Sequence, residues 1–398
     1  MITYQYYLTE AASEDKLKHL EHAEDHIINA GFDGFAHAYH NLQDVHDQLS
    51  GKKNKTKITT KYDGSPAIVF GHHPETGQFF VASKSAFNKD PKINYTAEDI
   101  EKNHGHAPGL VQKLKQALEH LPKIAPKTGV YQGDIMHSGL NTKDNPNGDV
   151  TKEGGKYHFQ ANPTGVKYST KVGSEEGKKA ASSKFGIAVH TSYHGDTIEG
   201  LKAEYAPDLS GFSHHPDVHN IDTQDDVQHA KMTPEQHELY NKHIKHATEE
   251  FKNTPKKAYK ALEGHQDLLK TYINRTVREG TTPTVAGYRS HANEYHAKLI
   301  AKVKTPKAIA AKTETLHNDL SHIDKHTENF QHLLTMHHHL QQAKDQLTTA
   351  LSAKPKFETS MRGKPTKPEG YVTVRENRPT KFVDRGEFSR MHLGARTE

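Results

Sequence analysis

The stretch with the clearest chemical potential is Lys61-Tyr62-Asp63-Gly64-Ser65-Pro66. A strand-like run, Thr56 to Thr60, precedes it, and an apolar run, Ala67 to Phe70, follows. Lysine, acid and glycine between two strands suit the storage of a nucleotide on the lysine. The amine can attack a phosphate, the carboxylate can hold a ribose, and glycine lets the backbone approach closely. Free lysine titrates near ~10.4, so a nucleophilic Lys61 needs surroundings that disfavour its charge.

Histidine is the other abundant reactive type, at 33 residues. His322 and His326 fall four apart on a predicted helix, and His190 and His194 four apart on a predicted strand. Two ligands without a third make a poor zinc site. His337-His338-His339 points three ways around a helix and reads as solvated helix surface.

These residues need a scaffold, and the patterning supplies one. Residues 14–50 read as two helices that cap the core. Leu17, Leu20, Ala23, Ile27 and Ile28 keep helical spacing to Gly31, and Ala36, Tyr39, Leu42, Val45 and Leu49 repeat it to Gly51. Strands are predicted at 56–60, 67–70 and 79–83, closed by Ser83-Lys84-Ser85, then at 129–136, 157–160, 166–169 and 185–191. A helix is predicted over 97–121. Beyond residue 205 the character changes, and 233–353 carries almost nothing but helical spacing, broken at Pro255, Pro283 and Pro306. The longest helix carries the stripe Leu316, Leu320, Ile323, Phe330, Leu333, Leu340, Ala343, Leu347 and Leu351. Residues 354–368 read as a Lys/Pro/Gly linker, and strand character returns at 370–374 and 381–383.

Composition narrows the classes. The 398 residues suggest two or three domains. Hydrophobic residues make up 33%, and mean hydropathy is -0.89, so modest cores and long solvated helices are expected. The absence of cysteine excludes disulfides and thiolate metal sites and fits a cytoplasmic setting. No apolar run approaches the ~18 residues of a membrane span. The net charge of +4 permits nucleic-acid binding without arguing for it.

Set in order, the short motifs resemble those of the covalent nucleotidyltransferase superfamily: ATP-dependent DNA ligases, RNA ligases and mRNA capping enzymes. Lys61-Tyr62-Asp63-Gly64 looks like its motif I and Ser83-Lys84 its motif Ia. Tyr131-Gln132-Gly133-Asp134 looks like motif III, Phe185 to Thr191 occupies the place of the motif IIIa strand, Glu369-Gly370-Tyr371-Val372 resembles motif IV, and Lys381-Phe382-Val383 motif V. The whole is also similar to ligase-like proteins of large tailed phages. Asp134 stands where glutamate is usual, Val189-His190 where an aromatic-Asp pair is usual, and Val383 where a second lysine is usual. The resemblance covers about 50–200 and 365–390, and no room follows for an oligonucleotide-binding fold.

What the resemblance implies is an α+β fold: a ligase-type nucleotidyltransferase core of two antiparallel sheets with flanking helices and a large inserted helical bundle. The core would occupy 1–205 and 356–398, and the insertion 206–355. Lys61 would be the nucleophile that forms lysyl-AMP from ATP. Asp63, Gly64, Lys84, Asp134, Glu369 and Lys381 would bind the nucleotide. Asp134 and Glu369 would hold Mg²⁺ or Mn²⁺ and the ribose, and Lys381 would neutralise the α-phosphate. The partner would be a nucleic acid with 5′-phosphate and 3′-hydroxyl ends. Gly64-Ser65 tilts the expectation towards RNA. A DNA nick, a protein acceptor and a non-catalytic phage binding or structural role stay open. The insertion could follow a nucleic-acid backbone or bind a partner protein, with a mixed-charge bundle the plainer reading.

Overall fold

A computed structural model describes residue 16, residues 20–224, residue 227 and residues 229–386. Leu17 lies outside the described residues, as do residues 387–398. The fold is mixed α and β. The chain divides into two compact units, one formed by 1–20, 57–230 and 352–379, the other by 21–56, 231–351 and 380–398.

Among the described residues the strands form three sheets, where two were expected. The largest joins β2 (Ala67–His72), β3 (Phe79–Ala82), β4 (Val130–His137), β8 (Phe185–His194), β9 (Lys202–Tyr205) and β10 (Val218–Asn220) in the order β10-β8-β4-β2-β3, with β9 also on β8. Its pairings are antiparallel except β10 with β8. Residues of β2 alternate between two faces, as strand geometry demands. Ile68 and Phe70 meet Val111, Leu114 and Ala117 of the helix Pro108–His120. Val69 packs with Phe80, Ala86, Phe87, Ile198 and Leu201 on the opposite side.

A second sheet runs β12-β11-β7-β6-β5, with β5 (Thr151–Glu153), β6 (Lys156–Phe159), β7 (Lys167–Lys171), β11 (Glu358–Met361) and β12 (Lys364–Thr366). The predicted linker 354–368 therefore supplies two strands. Its Arg362-Gly363 turn takes positive φ at both residues, which its Lys/Pro/Gly composition conceals. The third sheet places β13 (Gly370–Arg375) between β1 (Lys57–Lys61) and β14 (Arg378–Phe382). Residues of β14 from Thr380 onward belong to the second unit.

The second unit is helical. His26–Leu49, expected as part of a cap on the core, belongs here instead, because its face of Phe35, Ala38, Leu42 and Val45 is buried in this unit. Phe35 stacks on Phe251 of the helix Pro234–Asn253 with ring centroids 4.1 Å apart. The predicted stop at Gly31 holds: the residue takes the non-helical angles φ 55° and ψ -123°, and two helices meet there at a kink. The predicted break at Pro306 holds: one helix ends at Ile300 and the next begins at Pro306, with Thr305 capping it. The long stripe from Leu316 to Leu351 divides into Pro306–Lys325 and Thr327–Leu351. At the junction the Thr327 hydroxyl donates back to the carbonyls of Ile323 and Asp324.

Burial also overturns the solvated reading of the histidine triple. His337 is fully buried, and its Nε2 lies 2.9 Å from Asp25 Oδ1. Asp25 also accepts from Arg385 at 2.8 Å, while Glu24 accepts from Lys344 at 2.8 Å and from Arg385 at 3.3 Å. Glu24 and Lys344 are each 0% exposed. Burial pushes the Glu24 carboxyl up, but the Lys344 ammonium, His22 and Arg385 pull it down further, to about 2. Replacing Lys344 by Met should therefore cost about 3–5 kcal/mol at pH 7, because Glu24 is left as a buried charge with too few partners. Glu24 stabilises the fold above the ordinary carboxylate range, and that contribution is lost as pH falls towards 2. The urea midpoint of the helical signal should drop in Lys344→Met at pH 7, and the gap to the parent should narrow on acidification.

Candidate functional site

Lys61 ends β1, and Gly370 begins β13 directly opposite it in an antiparallel register running from Lys57↔Val374 to Lys61↔Gly370. Gly370 takes φ 148°, a conformation that residues with side chains rarely adopt. The preceding residue, Glu369, is thereby delivered to the end of β1. Its Oε1 lies 2.5 Å from Lys61 Nζ, across a sequence separation of 308 residues. The Glu369 side chain is only 6% exposed, and its other oxygen, Oε2, is buried with no hydrogen-bond partner among the described residues. A buried carboxylate oxygen with no donor is a place for a cation or a ligand donor.

Lys61 opens onto a cavity of about 520 Å³. Its walls are Lys61, Tyr62, Asp63, Gly64, Pro66, Ala67, Ser83, Lys84, Leu110 and Asp134. That volume lies within the range of small-molecule sites. Six predicted positions thus converge: Lys61, Asp63, Gly64, Lys84 and Asp134 on the cavity, with Glu369 bonded to Lys61. Lys84 is exposed and begins a short 3₁₀ helix capped by Ser83, so the predicted third strand ends at Ala82. Lys381 is not among the lining residues. It belongs to the second unit, where its backbone N–H donates to the Glu21 carbonyl at 2.8 Å and its charge helps to depress His22. The strand predicted over 381–383 ends at Phe382, and Phe382 and Val383 are buried.

The structure gives Asp63 work other than holding a sugar. Its Oδ2 accepts from the Val166 N–H at 2.8 Å, and its Oδ1 lies 3.4 Å from Asn162 Nδ2. Its own N–H donates to the Tyr168 hydroxyl at 2.7 Å. The carboxylate thus ties the 61–66 turn to loop 162–166. Tyr62 is buried against Tyr168 and Phe357, with ring centroids at 5.8 and 6.0 Å. Burial, followed by the charges of Glu369, Asp63 and Asp134, drives the Tyr168 hydroxyl well above its usual value, against the pull of the Asp63 N–H. Those three carboxylates act together on one hydroxyl.

Gly64 is required by a close approach. A Cβ there would sit 2.6 Å from Asp134 Cβ and 2.9 Å from the Ile135 carbonyl. The Ser65 N–H donates to that same carbonyl at 2.9 Å, so the turn is laced to β4 beside Asp134. The approach is of strand to turn.

Two groups at the site escaped sequence reasoning. Lys113, one turn after Leu110, donates to the Ser65 carbonyl at 3.1 Å and lies 3.7 Å from Asp149. Burial lowers the Lys113 ammonium, against the opposing effect of Asp149, and burial raises the Asp149 carboxyl. Only its place on the edge of the apolar face Leu110, Leu114, Ala117 hinted at this. His190 is the second. The register steps from Gln132↔Thr191 to Gly133↔Val189, leaving His190 as the extra residue of a bulge, and its Nε2 comes 3.8 Å from Asp134.

Among the described residues no three His, Asp or Glu side chains form a metal-binding group. Any divalent ion here would rest on two acids, water and phosphate oxygens, as Mg²⁺ commonly does.

A model for a family of unknown function (DUF6267) matches residues 16–395. No curated protein and no solved structure matches the chain.

The Asp63 anchor gives a direct test. Asp63→Ala should release loop 162–166 at a cost of about 1–3 kcal/mol, since the Val166 N–H loses its charged acceptor. Hydrogen exchange at the Val166 amide should accelerate strongly, while amides in β4 and β8 keep their protection.

Proposed function

The chain belongs to this family of unknown function, and for it we propose an ATP-dependent nucleotidyltransferase of the covalent kind, storing AMP on Lys61 for transfer to a polynucleotide end. The observation that carries the proposal is the pairing of the Lys61 amine with a buried Glu369 whose second oxygen has no partner among the described residues, at the wall of a nucleotide-sized cavity. The resemblance of the motifs to ATP-dependent ligases supports the same reading, as does the acidic Asp134 on the cavity.

Lys61 Nζ attacks the α-phosphorus of ATP, forming a P–N bond as the bond to pyrophosphate breaks. The amine must first lose its ammonium proton, and Glu369 Oε1 lies within hydrogen-bond distance to accept it. Glu369 and Asp134 are the residues that would hold Mg²⁺, which when bound neutralises phosphate charge and disfavours the ammonium form of Lys61. Lys84 offers its charge to the phosphates from the cavity wall. Asp63 and Lys113 position the turn that presents Lys61. The AMP then passes to a 5′-phosphate, and a 3′-hydroxyl displaces it to seal the strand. RNA ends are the first acceptor to try, because of Gly64-Ser65.

A second reading, nucleotide binding without chemistry, is favoured by one observation. Val383 stands where the resemblance places a second phosphate-binding lysine.

Intact mass after incubation with ATP and Mg²⁺ decides between them. The expected result is a gain of one adenylyl group, absent in Lys61→Ala and slowed roughly 100-fold or more in Glu369→Gln. ATP binding with unchanged mass would replace the enzyme by the binder.

A further inference from the structure

The helices Val285–Ile300 and Pro306–Lys325 form an antiparallel hairpin within the helical unit, joined by residues 301–305. Between Glu294 and Glu314 the sequence holds five lysines, at 298, 302, 304, 307 and 312, and no acid. Lys298, Lys302, Lys304 and Lys307 are exposed, and Lys312 is half-buried. At 1.5 Å rise per residue all five lie within about 10 Å of the hairpin end. Among the described residues none of the five forms an ion pair. The flanking Glu294 is bound to Arg275 at 2.6 Å, so the nearest acid on the first helix is already engaged.

Several cations elsewhere on the same unit are paired. Arg275 pairs with Glu279 and Glu294, Arg289 with Asp324, Lys245 with Glu249, and Lys270 with Glu21. From residue 295 to residue 313 the hairpin carries no acid. Unpaired ammonium groups on rigid helices are suited to a dense line of negative charge.

We infer that the hairpin end is a docking surface for the phosphate backbone of duplex nucleic acid. A duplex carries one charge per about 1.7 Å of axis, and lysines that neutralise its phosphates release counterions. An anionic membrane fits less well, since a helix that lies in a lipid interface needs a wide apolar face. Here Leu299, Ile300 and Val303 are half-buried, and among the described residues of the hairpin Tyr295 and Ile309 are the exposed large apolar side chains, too few for such a face. The inference goes beyond the lysyl-nucleotide reading and does not depend on it.

The test is fluorescence anisotropy of the full chain with a short labelled DNA duplex and its RNA counterpart across a salt series. Lys302→Gln, Lys304→Gln and Lys307→Gln together should reduce the slope of log K against log salt by roughly 2–3. Gln retains good helix propensity, and an unchanged circular dichroism spectrum confirms the fold. Replacing Lys242, Lys245 and Lys252 by Gln alters net charge equally and should leave the slope near the parent's. Lys61→Ala should abolish the adduct yet keep the slope, so the two readings fail separately. An unchanged slope in the hairpin variant overturns the inference. Binding to phosphatidylserine vesicles or polyglutamate as tight as to duplex, and lost in the same variant, overturns it in favour of those anions.

Discussion

The candidate site depends on the antiparallel pairing of β1 with β13. Five residue pairs close a loop of 308 residues and bring Glu369 onto Lys61. Loop-closure entropy grows only logarithmically with length, so the great sequence distance adds little to the cost. What matters is register. A slip of one residue would turn Lys61 to the opposite face and carry Glu369 away from it. The register is held by buried Ile58, Thr59 and Thr60 on β1 and by Tyr371, Thr373 and Val374 on β13. The opposite edge of β1 is secured too, where Thr60 N–H donates to the Thr223 carbonyl. At the far end of β13, Glu376 and Asn377 take positive φ in the tight turn to β14, and the Asn377 side chain bonds the backbone of Ala203 and Tyr205.

Much of the site was legible because its residues sit at the ends of strands with clear alternation. The types at Lys61, Gly64, Asp134 and Glu369 carried the signal, and the structure puts the first three with Lys84 on one cavity and bonds Glu369 to Lys61. The role of Asp63 was not legible. A carboxylate aimed at a ligand and one aimed at the Val166 N–H look identical in sequence, because the partner is a backbone group of a loop a hundred residues away. Lys113 and His190 escaped for related reasons. One is a lysine on the margin of an apolar face, and the other owes its direction to a bulge, which depends on the pairing of two strands.

The helical unit was the least legible part. Its charged core uses Glu24, Asp25, Lys344 and Arg385, residue types that sequence reasoning places on the surface. Their burial follows from mutual satisfaction, which periodicity cannot reveal. The same blindness hid β11 and β12, where lysine, proline and glycine mark a tight hairpin as readily as a linker.

The charged core draws on both ends of the described chain. Glu24 and Asp25 leave the ribosome early, Lys344 follows some three hundred residues later, and Arg385 comes later still. Until then two carboxylates destined for full burial have no cations to meet and must remain hydrated. The charged core of the helical unit therefore cannot be completed before Lys344 and Arg385 have been synthesised. The segments between, which include the cavity-bearing sheets, have the whole of that interval in which to fold first.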